Sequence, residues 1–286
     1  MPELPEVETI RAGLERRVTG ARIVKAELLW PGCVATPSPE ELVAEITGHR
    51  IERAGRRGKF LVLDLDDGAA LTVHLRMTGR FRLPKDGEER SSHLRAALTL
   101  DRGDPSAGSG RSELWFEDQR KFGRLYFTRN AEELAAVLAK LGPEPLEAAF
   151  TRDALAALLA RRRAQLKPLL LNQSFVAGLG NIYVDEALFR ARLHPLRRSD
   201  TLSEGETTAL HEAIVHALRQ GIANRGTTLS DYRDAGGLRG TNRERLQVFR
   251  REGKPCPRCG TPIEKIRVAQ RGTHLCPTCQ SPPPTT

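Results

Sequence analysis

The sequence has no long hydrophobic run. None of its 286 residues lies in a stretch approaching the roughly 18 consecutive apolar residues that a membrane-spanning helix requires. The opening residues, MPELPEVET, also lack the basic start and the apolar segment of a secretory signal. These absences, with an ordinary hydrophobic content of 39%, favour a soluble cytoplasmic protein that does not contact a membrane.

Cysteine is scarce, but four of the five cysteines form one pattern. Cys256 and Cys259 enclose two residues, sixteen residues follow, and Cys276 and Cys279 enclose two more. Two such thiolate pairs can complete a tetrahedron, so the spacing predicts one structural Zn²⁺. A pair of disulfides is the alternative, which a reducing interior disfavours. We expect Cys33 to be a small core or surface residue without chemistry.

Acidic residues are too few to balance the basic ones, and the excess is local. The net charge is +9. The segment from Arg219 to Arg271 has thirteen Lys or Arg and five Asp or Glu, a balance of +8. The basic last quarter therefore favours a polyanionic partner.

Hydrophobic periodicity divides the chain into a β-rich and a helical part. Near the start, Pro5 suits the first turn of a helix whose apolar residues follow at helical spacing. Alternating segments between Lys59 and about Phe127 predict an antiparallel sandwich or barrel. The turn-rich insertion at 101–112 reads as a mobile hairpin loop. From Ala131 onward the pattern is helical, with Thr151 as one helix cap and Ser203 with Glu206 as a capping box.

Five motifs occur along the chain in a fixed order: MPELPEVET, HLRMTG, DQRKFG, GLGNIYVDEALF and CPRCG…QRGTHLCPTCQ. Together they resemble the Fpg/Nei family of DNA glycosylases over essentially the whole sequence. The stretches PELPEVE and KPLLLNQ are most similar to its formamidopyrimidine-DNA glycosylase branch.

The resemblance implies an α+β multidomain fold. We expect an N-terminal catalytic antiparallel β-sandwich with flanking helices at residues 1–130. A helical helix-two-turns-helix DNA-binding domain with a lesion-capping loop is expected at 131–240. A four-cysteine zinc β-hairpin is expected at 241–280, followed by a disordered tail at 281–286.

The resemblance implies catalytic roles for residues of the opening stretch. Removal of Met1 would leave Pro2 with a free secondary amine, which can attack the sugar carbon and form an iminium. Glu3 is placed to move protons, and Glu6 to support the same pocket. The alternative is that all three are only helix-start residues, and the stretch taken alone does not decide between the two explanations. The implied enzyme is a bifunctional DNA-formamidopyrimidine glycosylase and AP lyase of base-excision repair, acting on 8-oxoguanine and formamidopyrimidines by β,δ-elimination.

Other residues receive roles from the family motifs. Met77 and Phe122 are expected to wedge into the duplex after the damaged base flips out, and Arg120 to pair with the orphaned cytosine. For Met77 or Phe122 alone, core packing is the alternative. The resemblance implies phosphate contacts from four further residues: Lys59, Arg271, His74 and Asn181. Lys59 and Arg271 are also assigned to the catalytic residues.

Two further features complete the implied site. Lys167 is expected in a supporting position near the lesion, with a solvated helix-end lysine as the alternative. The loop over the flipped base would present backbone amides to an oxidised purine edge. Its residues are Thr227, Thr228, Leu229, Ser230, Asp231 and Tyr232.

The sequence departs from the family pattern at four places. Arg76 stands where glycine is usual, Gln119 where proline is common and Lys121 where arginine is common. The insertion at 101–112 is longer than expected. None of these changes touches Pro2 or Glu3.

The predicted partner is duplex DNA containing oxidised bases or abasic sites, bound by a monomer at the nucleoid of a bacterium. An endonuclease VIII-like glycosylase for oxidised pyrimidines is one alternative function. A non-catalytic damaged-DNA-binding protein is the other.

Overall fold

The computed structural model describes residues 2–85, 87–103, 111–230 and 232–282. Three predicted features therefore lie wholly or partly outside the described residues: Asp231 of the lesion loop, residues 104–110 of the insertion, and residues 283–286 of the tail. The chain divides into a first unit, Met1–Ala139 with Asn224–Thr241, and a second unit, Lys140–Ala223 with Asn242–Thr286. The predicted domain boundaries stay predictions, and these units differ from them in grouping 224–241 with the amino-terminal residues.

Two sheets form the framework of the first unit. The four-stranded sheet has the spatial order β1 (Arg22–Leu28), β7 (Leu94–Asp101), β8 (Arg111–Glu117), β6 (Arg80–Arg82). The five-stranded sheet has the order β2 (Val34–Thr36), β9 (Arg124–Thr128), β5 (Ala70–His74), β4 (Phe60–Leu65), β3 (Ile51–Arg57). Neighbouring strands are antiparallel except β2 and β9. The helices are α1 (Leu4–Val18), α2 (Pro39–Ile46) and α3 (Ala131–Leu138).

One hydrophobic core joins both sheets and α1. Because side chains alternate along a strand, β4 directs Leu61, Leu63 and Leu65 into this core. Phe81 and Phe116 of the other sheet contribute rings whose centroids are 5.4 Å apart. The predicted sandwich is thus confirmed.

Cys33 is also buried in this first core. Burial raises the pKa of its thiol to about 11, so the thiol stays protonated at neutral pH. Cys33 is therefore a small core residue, one of the two settings predicted for it.

The second unit is helical and ends in a β-hairpin. Its helices are α4 (Arg152–Ala160), α5 (Leu166–Leu171), α6 (Asn181–Arg190) and α7 (Glu204–Ala223), and its strands are β10 (Glu264–Val268) and β11 (Arg271–Leu275). The predicted cap is confirmed at Thr151, whose hydroxyl accepts from the Ala154 N–H at 3.1 Å. The predicted capping box is confirmed by reciprocal hydrogen bonds, in which the side chain of each of Ser203 and Glu206 accepts the backbone N–H of the other. Within the described ranges, every helix is too short or too polar to traverse a bilayer.

Glu186 ties α6 to the segment that leads into the cysteines. Its buried carboxylate accepts the backbone N–H groups of Gln247, Val248 and Phe249 at 2.9, 3.0 and 2.9 Å. Burial raises the pKa of Glu186 even though these three donors favour the carboxylate. Val248 then packs with Phe189 of α6 in a small core that includes two of the cysteines.

Replacing Glu186 by alanine should lower the free energy of unfolding by about 2 to 4 kcal/mol, because three backbone donors lose their acceptor in a buried site. Thermal and urea unfolding followed by circular dichroism would measure the change. Glu212→Ala, at an exposed position of α7, is the matched control. Equal stability of the two variants would contradict this role of Glu186.

Candidate functional site

The start of α1 is buried: Pro2 and Glu3 directly precede the helix, and Glu6 lies in its first turn. Glu3 has an extended backbone and is the N-cap residue, so its N–H cannot bond to a helix carbonyl four residues earlier. Glu6 Oε2 accepts this N–H at 2.8 Å. Glu6 therefore fixes the backbone directly beside Pro2.

The second oxygen of the Glu6 carboxylate reaches the predicted lesion loop. Glu6 Oε1 accepts the Thr227 N–H at 2.7 Å, and the Tyr232 hydroxyl donates to the Glu6 carbonyl at 3.3 Å. Gly226 has φ of +80°, and a Cβ there would lie 2.9 Å from Glu6 Cγ, so this close approach requires glycine. One carboxylate thus joins the start of α1 to the loop.

Hydrogen bonds close the base of this loop. The Thr228 hydroxyl donates to the Tyr232 carbonyl at 3.0 Å and accepts from the Gly240 N–H at 2.9 Å. Burial and the negative charge of Glu6 raise the pKa of Tyr232, which keeps its hydroxyl a donor. Leu229 is half-buried and Ser230 is exposed. The exposed part of the loop is therefore held on a fixed base.

Lys59 and His74 lie at the paired ends of β4 and β5. Both are buried, and the ring of Phe60, which is paired with His74, packs edge-on against the imidazole at 4.6 Å between centroids. Burial, followed by the positive charges of Arg76 and Lys59, lowers the pKa of His74 to about 3. His74 Nδ1 accepts the Arg76 N–H at 3.0 Å, so the neutral ring carries its proton on Nε2. His74 is therefore an uncharged hydrogen-bond donor.

Arg76, which stands where the resemblance implies a glycine, lies in the tight turn after β5. Arg76 adopts φ of +53°, the left-handed region that glycine enters without steric cost. At the other end of the turn, the Gly79 N–H donates to the Leu75 carbonyl at 3.0 Å, and a Cβ on Gly79 would lie 2.4 Å from that oxygen. The turn retains its tight geometry in spite of the arginine.

Three residues with predicted roles inside the duplex meet on the surface of the first unit. Met77 is 44% exposed and Phe122 is 47% exposed. Arg120 Nη1 lies 3.0 Å from Met77 Sδ, and the Arg120 guanidinium lies 4.9 Å from the centroid of the Phe122 ring. Met77, Arg120 and Phe122 form what we call the wedge cluster. Core packing, the alternative for Met77 and Phe122, does not fit their exposure.

A residue that the sequence analysis did not single out holds the wedge cluster together. The buried Asp118 accepts the Thr78 hydroxyl and the Arg120 N–H through Oδ1, the latter at 3.2 Å. Its Oδ2 accepts the Gly123 N–H at 2.7 Å. Asp118 therefore joins the turn that carries Met77 to the turn that carries Arg120 and Phe122.

In the second unit, Lys167 belongs to a buried ion pair. Its Nζ lies 2.5 Å from Asp185 Oδ1, and both side chains are completely buried. Asp185 Oδ2 accepts the backbone N–H of His274 at 2.9 Å. The Gly272 carbonyl accepts from Lys167 at 3.1 Å and from Asn181 Nδ2 at 3.0 Å. Lys167 and Asn181 thus converge on one β11 carbonyl. A solvated helix-end lysine is excluded, whereas the role near the lesion stays a prediction.

Arg271 begins β11 at the closed end of the hairpin. Val268 and Arg271 form the last strand pair, and Ala269 and Gln270 between them have φ of 44° and 63°. Two left-handed residues are the signature of a two-residue hairpin turn that matches strand twist. This turn exposes Arg271 one residue before Gly272.

The four cysteines meet beside this hairpin. Cys256 and Cys279 have sulfurs 4.0 Å apart, Cys259 and Cys276 have sulfurs 3.4 Å apart, and all four lie within 4.8 Å of one another. Zinc bonds of about 2.3 Å in a tetrahedron require sulfurs about 3.8 Å apart. The Arg258 N–H also points at Cys256 Sγ, at 3.4 Å, as in a thiolate knuckle. The donor set therefore fits one structural Zn²⁺.

Family models match three consecutive parts of the chain. The formamidopyrimidine-DNA glycosylase N-terminal domain matches residues 1–125, and the H2TH domain of the same enzyme matches 141–233. The zinc finger found in FPG and IleRS matches 253–282. The chain belongs to the formamidopyrimidine-DNA glycosylase family. The resemblance, the α+β multidomain fold class and the structural zinc are thereby confirmed.

Individual relatives are similar in sequence to this chain over almost its whole length. A formamidopyrimidine-DNA glycosylase of Roseiflexus sp. is 47% identical, covering 92% of this chain and 93% of the relative. One of Pelotomaculum thermopropionicum is 45% identical with the same coverage. A variant Lactococcus lactis FPG, solved with Fapy-dG-containing DNA, has a TM-score of 0.90 and 38% identity over 98% of this chain and 100% of that one. The Lactococcus lactis Fpg complex with abasic-site DNA has a TM-score of 0.88 at the same identity and coverage.

Membership of the formamidopyrimidine-DNA glycosylase family makes the chain a DNA glycosylase of base-excision repair. The AP lyase activity and the preference for oxidised purines are typical of the family. The predicted site residues fall into two groups. The first unit contains the predicted catalytic residues at the start of α1, Lys59, His74, the wedge cluster and the predicted lesion loop. Lys167, Asn181, Arg271 and the cysteines are in the second.

The neutral state of His74 predicts a pH dependence of stability. The unfolded chain binds a proton at His74 below its ordinary pKa of 6.5, whereas the folded chain does so only near 3, so stability is lost as the pH falls between these values. As the pH falls, the free energy of unfolding of the parent should decrease relative to that of His74→Gln by at most about 1.4 kcal/mol for each pH unit. Urea unfolding between neutral pH and pH of about 4 measures this, with exposed His93→Gln as the control. Parallel profiles for parent and His74→Gln would contradict it.

The cysteine geometry predicts that zinc orders the hairpin carrying Arg271. Cys256→Ser should reduce bound zinc and weaken binding to a duplex with an abasic-site analogue on the order of ten-fold, because the predicted phosphate contact of Arg271 would lose its support. Metal analysis and fluorescence anisotropy measure the two effects, and Cys33→Ala is the thiol control. Zinc loss with undiminished binding would refute the link between the metal and the hairpin.

Proposed function

We propose that this protein is a bifunctional glycosylase and AP lyase that removes oxidised purines, chiefly 8-oxoguanine and formamidopyrimidines, from duplex DNA through the Pro2 amine. The observation that carries the proposal is the buried start of α1, where Glu6 holds the backbone beside Pro2 and also the Thr227 amide of the lesion loop. One carboxylate thus holds both the residue next to the proposed nucleophile and the proposed base-recognition loop.

The nucleophile requires removal of Met1, which leaves Pro2 with a secondary amine. Its nitrogen attacks the sugar carbon C1′ as the bond from C1′ to the base breaks and the base leaves with the electron pair. The nitrogen then loses its proton, and the C1′–O4′ bond breaks as O4′ takes up a proton, so the sugar ring opens. The product is an iminium between C1′ and the nitrogen, with a positive charge that accepts electrons. Loss of a proton from C2′ then expels the 3′ phosphate, and a second elimination expels the 5′ phosphate. Both strand-cleaving steps follow from the charge on one nitrogen.

Glu3 is the proposed proton carrier. It is buried and adjacent to Pro2, so it would lie beside the sugar that the Pro2 amine attacks. A positioned carboxyl can give a proton to the opening sugar and accept one from the adduct. Glu6 is the proposed positioning residue, because its oxygens are occupied by the Glu3 and Thr227 amides.

The DNA contacts follow from the exposed groups. The wedge cluster would fill the space that the flipped base leaves, with Arg120 donating to the acceptor atoms of the orphaned cytosine. The neutral His74 donor, Lys59, Asn181 and Arg271 would contact phosphates. Backbone amides between Thr227 and Tyr232 would read the oxidised purine edge, and Lys167 would support the site through Asp185.

The proposed partner is duplex DNA with oxidised bases or abasic sites. We propose that a monomer binds it, since the basic residues and the wedge cluster serve one duplex. Such a substrate would place the protein at the bacterial nucleoid in the cytoplasm.

Borohydride trapping tests the proposal. The full chain is incubated with a duplex containing 8-oxoguanine opposite cytosine, reduced, and mapped by mass spectrometry. We expect a cross-link at Pro2 with Met1 absent. Pro2→Gly and Glu3→Gln should lose strand cleavage, whereas Pro5→Ala, a proline change in the same helix start, should retain it.

Three results would contradict the proposal. Tight binding of the damaged duplex without a cross-link would indicate a damage-binding protein without lyase chemistry. Cleavage of a thymine glycol duplex faster than that of the 8-oxoguanine duplex would indicate the endonuclease VIII-like alternative. Unchanged cleavage by Pro2→Gly would exclude the Pro2 amine as the nucleophile.

A further inference from the structure

Met77 has an exposed side chain that carries a thioether. The sequence has two methionines, and the other is Met1. Once Met1 is removed, Met77 is the only thioether in the chain. Its side chain is 44% exposed, so peroxide in the solvent can reach the sulfur.

We propose that Met77 is an oxidation site, at which hydrogen peroxide converts the thioether to a sulfoxide and thereby weakens binding to damaged DNA. The inference rests on the proposed role of Met77 in the duplex. It goes beyond that role by making DNA binding dependent on the redox state of one side chain.

The reaction needs only the peroxide. A sulfur lone pair attacks one peroxide oxygen, the S–O bond forms as the O–O bond breaks, and a proton shift releases water. Sulfur is oxidised by two electrons and the peroxide is reduced to water. Methionine sulfoxide reductases reverse the change with a thiol reductant, so the modification can act as a switch.

The neighbourhood of Met77 sets the consequence. Arg120 Nη1 already lies 3.0 Å from Met77 Sδ. A sulfoxide oxygen is a far stronger hydrogen-bond acceptor than a thioether, and it would form where this guanidinium donates. Oxidation therefore holds Arg120 on the wedge cluster instead of releasing it to the orphaned base. It also places a polar group where an apolar one should enter the base stack.

Cysteine oxidation is the competing effect. Cys33 is buried, but Cys259 of the zinc site is exposed. Peroxide could therefore weaken binding by releasing zinc. A variant that lacks only the thioether separates the two causes, and Met77→Leu keeps the size and apolar character of the side chain.

The experiment uses the zinc-loaded full chain and Met77→Leu. Both are treated with graded hydrogen peroxide, mapped by peptide mass spectrometry, assayed for zinc release, and titrated with a duplex carrying a stable abasic-site analogue. Each protein is compared with its own untreated affinity. We expect one added oxygen on Met77 and an affinity loss on the order of ten-fold or more in the parent, the scale of burying an unpaired polar group. Reductase treatment should restore the affinity, and Met77→Leu should keep its own at the same dose.

Three outcomes would overturn the inference: no oxygen on Met77 at doses that oxidise free methionine, sulfoxide formation without loss of affinity, or an equal fractional loss in Met77→Leu. Failure of the proposed function is a separate result. It would appear as the absence of a Pro2 cross-link in the untreated parent, whatever the state of Met77.

Discussion

The Glu6 carboxylate is the interaction on which the rest of the site depends. One of its two oxygens accepts the N–H of Thr227, which lies 221 residues from Glu6 in the sequence, and the other accepts the N–H of Glu3. A buried amide without an acceptor costs free energy comparable to a lost hydrogen bond. Both segments are therefore positioned by the same side chain, and a displacement of one would leave the other unsatisfied.

Buried carboxylates recur beside the residues that are proposed to contact DNA. Asp118 joins the two turns of the wedge cluster, Asp185 holds Lys167 and the backbone of β11, and Glu186 accepts three consecutive amides before the zinc site. Backbone donors and a lysine offset the desolvation of these anions. Buried acidic side chains of this basic protein thus help to position the exposed Arg120 and the buried Lys167.

Local patterns revealed the parts of the structure that depend on local physics. Alternation predicted β4, the cysteine spacing predicted the zinc site, and Thr151 predicted a helix start. Contacts between distant segments leave no such pattern. Nothing in the residues around Asp118 indicated that its carboxylate would bind Thr78, and the Glu6 contact to Thr227 has no periodicity to detect. The family motifs supplied the residues of the site, and only the fold shows which of them meet.

The wedge cluster shows how side chains proposed to enter a base stack can be kept on an exposed surface. Met77 and Phe122 are apolar and exposed, which is unfavourable in water. Arg120 contacts both, through the thioether sulfur and the face of the ring, and so shields part of each. In the proposed complex, the same guanidinium would leave these contacts to reach an orphaned base. Binding would then exchange one set of Arg120 partners for another, and the difference in free energy between the two sets would determine how readily the cluster opens.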